Sequence, residues 1–234
     1  MNAISEELRR LKNLKLNMYE IIPSPGTENK DFSEIEKKIS LVKPFAKTIH
    51  IDVVDGKFAP NTTFDKPHPF ERYAKEFIFE VHLMVDEPIN YLKPWADAGF
   101  QRFIGQVEKM SDQVEFVAQA QLLGEVGLAI DKETSIDAIK VPFDDLDCLL
   151  VMTIQAGASG QTFDETLLAK VKALHEKTTI PIEVDGGIND ETIEVASAAG
   201  ASRFVATSFL FNNVQTPEQQ FQLLQQKLDE LKGI

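Results

Sequence analysis

Residues 48–56 read Thr48-Ile49-His50-Ile51-Asp52-Val53-Val54-Asp55-Gly56, a β-branched run interrupted by ionisable side chains at 50 and 52. In a strand, successive side chains point to opposite faces, so His50 and Asp52 share one face while Ile49, Ile51 and Val53 share the other. Two further segments repeat the pattern: Glu80-Val81-His82-Leu83-Met84 and Ile182-Glu183-Val184-Asp185-Gly186. An apolar face covered by helices and an opposite face carrying chemistry at the strand ends describes the strands of a parallel barrel.

Working outward, the chain alternates apolar β-branched runs with amphipathic helical stretches. Strands are predicted near Met18–Ile22, Thr48–Val53, Phe77–Leu83, Phe100–Gln106, Val126–Ile130, Cys148–Met152, Ile182–Val184 and Arg203–Thr207. Helices are predicted around Ser33–Val42, Ile89–Ala98, Gln113–Leu123, Asp164–Lys177, Glu191–Ala199 and Pro217–Leu231, with Ser33 and Asn189 as caps, while Asp55–Arg72 is irregular. This βα alternation over 234 residues predicts an α/β (β/α)8 TIM barrel, and a doubly wound sheet usually has fewer strands. The barrel is expected as a single domain over 17–234. Residues 1–16 precede the first strand and place Ile4, Leu8, Leu11 and Leu14 on one face of an extra N-terminal helix.

Composition narrows the partners. With 24 Lys+Arg against 37 Asp+Glu the net charge is −13, which disfavours nucleic acid and anionic membrane surfaces, and no local basic patch offsets it. The single cysteine, Cys148, cannot form an internal disulfide, and the charged N-terminus lacks an apolar signal region, so a cytoplasmic location is expected.

His50, Asp52, His82 and Asp185 together offer two nitrogens and two oxygens. Taken singly, each could be a polar residue satisfied by a loop amide. Four of them in one barrel point to a site, because unpaired buried charges are rare. The donor set suits one Zn²⁺ per chain, with Mn²⁺ or Fe²⁺ as alternatives. The glycine-containing segments Gly157-Ala158-Ser159-Gly160-Gln161 and Gly186-Gly187-Ile188-Asn189, followed by Thr207-Ser208, lie where barrel loops commonly bind phosphate. His68 and His175 are expected in solvent, Trp95 in packing, and Met84, Met152 and Phe163 in the core or the pocket lining.

At these residues the sequence resembles the ribulose-phosphate 3-epimerase family. The carrying segments are His50–Gly56, Phe58-Ala59-Pro60-Asn61, Val81–Val85, Val151-Met152-Thr153 with the Gly157–Gln161 loop, and Val184–Asn189. The resemblance implies a metal-dependent barrel that interconverts D-ribulose 5-phosphate and D-xylulose 5-phosphate at C3 through an enediolate. Its metal ligands map onto His50, Asp52, His82 and Asp185, and its catalytic carboxylates onto Asp52 and Asp185. Substrate contacts are expected from Ser24, His82, Met84, Gly157, Ala158, Ser159, Gly160, Asp185, Gly186, Gly187, Thr207 and Ser208. The resemblance also implies a homo-oligomer with a small ketose phosphate as its only other partner.

Several positions depart from the family pattern. Ser24-Pro25-Gly26-Thr27 replaces Ser-x-Leu-Ser, Ala158 and Ser159 replace Phe and Gly in the lid loop, and Thr207 replaces Gly. Val54 replaces a Met and Gln106 a His. Two other readings follow: a 3-epimerase of a related ketose such as allulose 6-phosphate, or an impaired barrel serving as a binding protein. The intact carboxylate pair argues against the second.

Overall fold

The computed structural model describes residues 19–231. Eight strands form one parallel sheet: β1 (Glu20–Pro23), β2 (Thr48–Val54), β3 (Ile78–Met84), β4 (Arg102–Gln106), β5 (Glu125–Ile130), β6 (Cys148–Met152), β7 (Ile182–Asp185) and β8 (Arg203–Ala206). The ladder runs β1-β8-β7-β6-β5-β4-β3-β2 and curls into a nearly closed barrel. Side chains bridge the β1–β2 seam. Thr48 Oγ1 donates to the Glu20 carboxylate, and Ser24 Oγ donates to Asp52 Oδ2 at 3.1 Å.

Among the described residues seven α-helices lie outside: α1 (Phe32–Val42), α2 (Leu92–Asp97), α3 (Gln113–Gln121), α4 (Leu168–His175), α5 (Thr192–Ala198), α6 (Ser208–Phe211) and α7 (Pro217–Leu231). Outward-facing residues of the strands, such as Ile49, Val81 and Val184, pack against these helices in one large core. Val54, Met84, Ile104, Ala129, Leu150 and Met152 fill the barrel lumen as a separate cluster. The strict alternation of side chains is what divides one sheet between two cores.

The irregular segment after β2 contributes a plug. A 3₁₀ turn at His68–Tyr73 inserts the fully buried Phe70 among Phe32, Phe64, Phe79, Trp95 and Phe100, with ring centroids 5.0–6.2 Å away. Trp95 is thus a packing residue, while His68 and His175 are exposed.

Local boundaries differ from expectation for identifiable reasons. The stretch 89–98 splits into a 3₁₀ turn (Pro88–Tyr91) and α2, because Pro94 has no N–H to donate and is tolerated only in a first helical turn. The stretch 164–177 likewise opens with a 3₁₀ turn (Glu165–Leu167) capped by Asp164 before α4 begins. The cap of α1 is Asp31, whose carboxylate accepts the Ser33 N–H at 3.0 Å, so Ser33 is the capped residue and not the cap. Asn189 does cap: its Oδ1 accepts the N–H groups of Glu191 and Thr192, each at 2.9 Å. The first-strand residue Met18 and the N-terminal stretch 1–16 fall outside the described residues. Among the described residues no helix is long and apolar enough to cross a membrane.

Candidate active site

The ends of β2, β3 and β7 bring His50, Asp52, His82 and Asp185 together beneath a cavity at the mouth of the barrel. All four are buried, and their ligand atoms lie within 4.8 Å of one another. His50 Nε2 and His82 Nδ1 are each 3.1 Å from Asp52 Oδ1. Asp185 Oδ2 lies 3.8 Å from His82 Nδ1 and 4.0 Å from His50 Nε2.

The far nitrogens of both imidazoles are occupied. His50 Nδ1 is 2.6 Å from Glu80 Oε1, and Glu80 in turn is clamped by Arg102. In the amide orientation that satisfies its neighbours, Gln106 donates to Glu108 Oε2 and Ala129 O and accepts from His82 Nε2 at 3.3 Å. With a cation bound, each imidazole would donate outward and turn a bare nitrogen toward the two aspartates, the arrangement that orients metal-ligating histidines.

These distances suit a bound cation. Tetrahedral Zn²⁺ with bonds of about 2.0–2.1 Å separates its N and O ligands by roughly 3.3 Å, and the observed separations of 3.1–4.0 Å bracket that value. The charge balance agrees. Burial, and then the charge of Asp52, push Asp185 well above the usual carboxylate range. Asp52 is also penalised by burial, but His50 and His82 outweigh this and hold it far below that range. Burial opposes charge on His50 as well; Asp52, Glu183 and Glu80 overcome it and raise the imidazole's pKa well above its ordinary value, whereas burial holds that of His82 down. A cation at the centre would favour the ionised form of both carboxylates.

A second layer of charge lies below. Arg102 bonds Glu80 and Glu125, and Arg203 meets Glu20 at 3.3 Å. Glu183 sits among them with no hydrogen-bond partner on either oxygen, 3.5 Å from His50 Nδ1, and burial followed by the Glu80 charge raises its pKa to about 7. Sequence reasoning gave Glu80, Arg102 and Glu183 no part in the site. The available signal was their spacing: Glu80 and Glu183 stand two residues before His82 and Asp185 on the same strand face.

The cavity is lined by Asp52, Met84 and Met152, the loop Gly157-Ala158-Ser159-Gly160, Asp185-Gly186-Gly187, Thr27, and Thr207-Ser208. Ser24 and His82 stand behind this lining, both fully buried. Ser24 reaches the site through Asp52, and His82 through the same carboxylate. Phe163 packs on the outer core. Gly186 and Gly187 adopt φ of +118° and +69°, where a Cβ would fall 2.4 Å from Ile154 Cγ1 and 2.7 Å from the Phe163 backbone nitrogen. The chain there faces the cavity as bare backbone because no larger residue fits.

The model of the ribulose-phosphate 3 epimerase family matches residues 23–211, a span that runs from β1 through α6. The chain belongs to that family. A ribulose-phosphate 3-epimerase from Schizosaccharomyces pombe is 35% identical over 81% of this chain and 86% of its own length. The one from Bacillus subtilis is 34% identical over 80% and 91%. A third relative, from Oryza sativa subsp. japonica, is named as a cytoplasmic isoform and is 31% identical over 83% and 89%. Among solved structures, a 3-keto-L-gulonate-6-phosphate decarboxylase from Vibrio cholerae superposes with a TM-score of 0.67 at 16% identity, covering 91% of this chain and 98% of its own. That likeness bears on the barrel fold alone. As a ribulose-phosphate 3-epimerase family member, the protein is an enzyme of the carbohydrate epimerase class, and its buried His/Asp cluster is able to bind a metal ion.

Proposed function

We propose that the protein interconverts D-ribulose 5-phosphate and D-xylulose 5-phosphate by proton transfer at C3, with Asp52 and Asp185 as the two acid/base groups. The observation that carries this reading is geometric: Asp52 from β2 and Asp185 from β7 line one cavity with both carboxylates beside His50 and His82, and the cluster pulls their pKa values in opposite directions, Asp52 down and Asp185 up. Two titratable groups driven apart in this way are suited to act as base and acid. β2 and β7 supply them from different walls of the barrel, so one side chain can take the C3 proton while the other returns a proton from the opposite face. Positioned transfer of this kind contributes roughly 10²- to 10⁴-fold.

His50, Asp52, His82 and Asp185 would hold one divalent ion, with Zn²⁺ the best match to two imidazoles and two carboxylates and Mn²⁺ or Fe²⁺ as alternatives. When bound, the ion supplies electrostatic stabilisation of the negative charge that develops on the enediolate oxygens. Glu80, held by Arg102, fixes His50, and Gln106 fixes His82. Met84 and Met152 exclude water from the reacting carbons. Gly186, Gly187, Thr207 and Ser208, with the 157–160 loop, line the part of the cavity assigned to the phosphate, whose charge the bare backbone can meet with amide dipoles.

A second reading keeps the chemistry and changes the ketose. Thr207 and Ser159 line that wall where the family pattern has glycine, and the alternative substrate is a related ketose such as allulose 6-phosphate. The reading also includes a cytoplasmic homo-oligomer, which light scattering on the purified protein tests. The deciding experiment adds ribulose 5-phosphate in deuterated water and follows deuterium at C3 together with the appearance of xylulose 5-phosphate. Turnover of ribulose 5-phosphate is expected, at higher kcat/KM than allulose 6-phosphate or either unphosphorylated ketose. Faster turnover of allulose 6-phosphate establishes the second reading, and absence of exchange with any of them overturns both.

A further inference from the structure

A groove on the outside of the barrel, along α7, shares no lining residue with the cavity. Its floor is the ring pair of Phe45 and Phe221, both half-buried, with centroids 4.9 Å apart. Phe221, Gln225 and Asp229 recur at helical spacing on the groove side of α7, while Leu224 and Leu228 on its other side are fully buried in the core. Leu41, one helical turn before Phe45, is 54% exposed and adds apolar surface at the same end of α1. The far end of the groove is acidic. Asp229 accepts from Gln225 Nε2 at 3.1 Å and Glu230 from Gln226 Nε2 at 2.9 Å. Lys227 is turned away, to Glu194 of α5 at 2.7 Å, and among the described residues no ion pair reaches either carboxylate.

The groove lies where the described chain begins. Phe45 stands three residues before Thr48, whose hydroxyl bonds the carboxylate of Glu20, the second described residue, and α7 itself packs on β1. Residues 1–16, which fall outside the described residues, lead into this point. Their Ile4, Leu8, Leu11 and Leu14 share one helical face. As a helix they would extend about 24 Å, close to the roughly 22 Å of the 15-residue α7. They hold Arg9, Arg10, Lys12 and Lys15 against Glu6 and Glu7, a cationic segment in a chain with 24 basic and 37 acidic residues. We propose that residues 1–16 dock as an amphipathic helix in this groove of their own chain, with the apolar stripe on Phe45 and Phe221 and the cations beside Asp229 and Glu230. Reach, length, apolar pattern and charge all favour this segment as the occupant. The docking is independent of the epimerase reading, since the groove and the cavity have no residue in common.

Hydrogen exchange followed by mass spectrometry, together with trypsin digestion of the full chain, tests the docking. Amides of residues 4–14 are expected to exchange at least about tenfold more slowly than free peptide, with cleavage after Arg9, Arg10 and Lys12 slowed in step. Leu8→Gln with Leu11→Gln on the segment, and separately Phe45→Gln on the groove, should each quicken exchange and cleavage roughly tenfold, with circular dichroism checking that the barrel is intact. Asp229→Lys with Glu230→Lys alters surface charge and leaves the core alone. It should quicken both readouts at low salt, and adding Arg9→Glu, Arg10→Glu and Lys12→Glu should restore slow exchange. Exchange of residues 4–14 at the free-peptide rate in the wild type would overturn the docking. Protection that survives both groove variants in folded protein overturns it as well, by placing the segment elsewhere. Protection that fades on dilution gives the groove to a second copy of the chain and overturns the intramolecular contact.

Discussion

Glu80 Oε1 lies 2.6 Å from His50 Nδ1, and both side chains have no exposure to solvent. Arg102, extending from β4, holds the other oxygen of the same carboxylate. The consequence is a chain of three buried side chains, Arg102–Glu80–His50, that ends at the Nε2 facing Asp52. Glu80 is depressed far below its ordinary pKa: burial resists ionisation, and Arg102 and His50 overcome it. With a metal bound, an ionised Glu80 would keep the His50 proton on Nδ1 and leave the Nε2 lone pair for the ion.

Substituting Glu80→Gln should therefore weaken metal binding about 10- to 100-fold. Competition with a chromophoric chelator measures this directly, and circular dichroism checks that the barrel is intact. Unchanged affinity in a folded variant would show that Glu80 serves only to neutralise Arg102.

Exhaustive chelation should abolish epimerisation, and readdition of one equivalent of Zn²⁺, Mn²⁺ or Fe²⁺ should restore it. Elemental analysis of the purified protein is expected to find about one divalent ion per chain. Full activity in verifiably metal-free protein would contradict the role assigned to the four ligands.

Asp52→Asn and Asp185→Asn should each lower kcat for epimerisation by at least about 10²-fold. Because proton removal needs only one of the two groups, one variant should still exchange the C3 proton of a single epimer with deuterated water. Near-normal interconversion in both variants would rule out the two-base scheme.

Asp55 provides a pH test away from the ligands. Its carboxylate accepts the N–H groups of Lys57, Phe58 and Asp86 at 2.8–2.9 Å, pinning the β2 loop to the β3 loop. Burial would raise its pKa, but these backbone bonds prevail and lower it below the ordinary value of 3.8. A carboxylate whose folded pKa is depressed contributes stability above its unfolded pKa and loses it as pH falls through the folded value. The urea midpoint of the wild type should thus fall more steeply below about pH 4 than that of Asp55→Asn, with the curves parallel near neutrality. Parallel curves throughout the acid range would mean that the three bonds do not depend on the charge.

The alternation in Ile49-His50-Ile51-Asp52, Glu80-Val81-His82 and Ile182-Glu183-Val184-Asp185 determined, with no help from the rest of the chain, which side chains enter the lumen, because the two-residue period of a strand is a local property of the backbone. The βα order did the same for the barrel. Residues distant in sequence decided everything else. Arg102, Glu183 and Arg203 become one ionic layer only when β3, β4, β7 and β8 are laid side by side, and Ser24 supports Asp52 only where β1 meets β2. Phe70 reads as part of an irregular, proline-flanked loop until five other aromatic rings surround it. Thr27 and Ser159, whose hydroxyls bond at 3.0 Å, are ordinary loop residues, separated by 132 positions, and nothing local distinguishes them. Pairings of this kind have no sequence period, since they depend on where closure of the barrel places the loops, and that placement is fixed by the packing of the whole molecule.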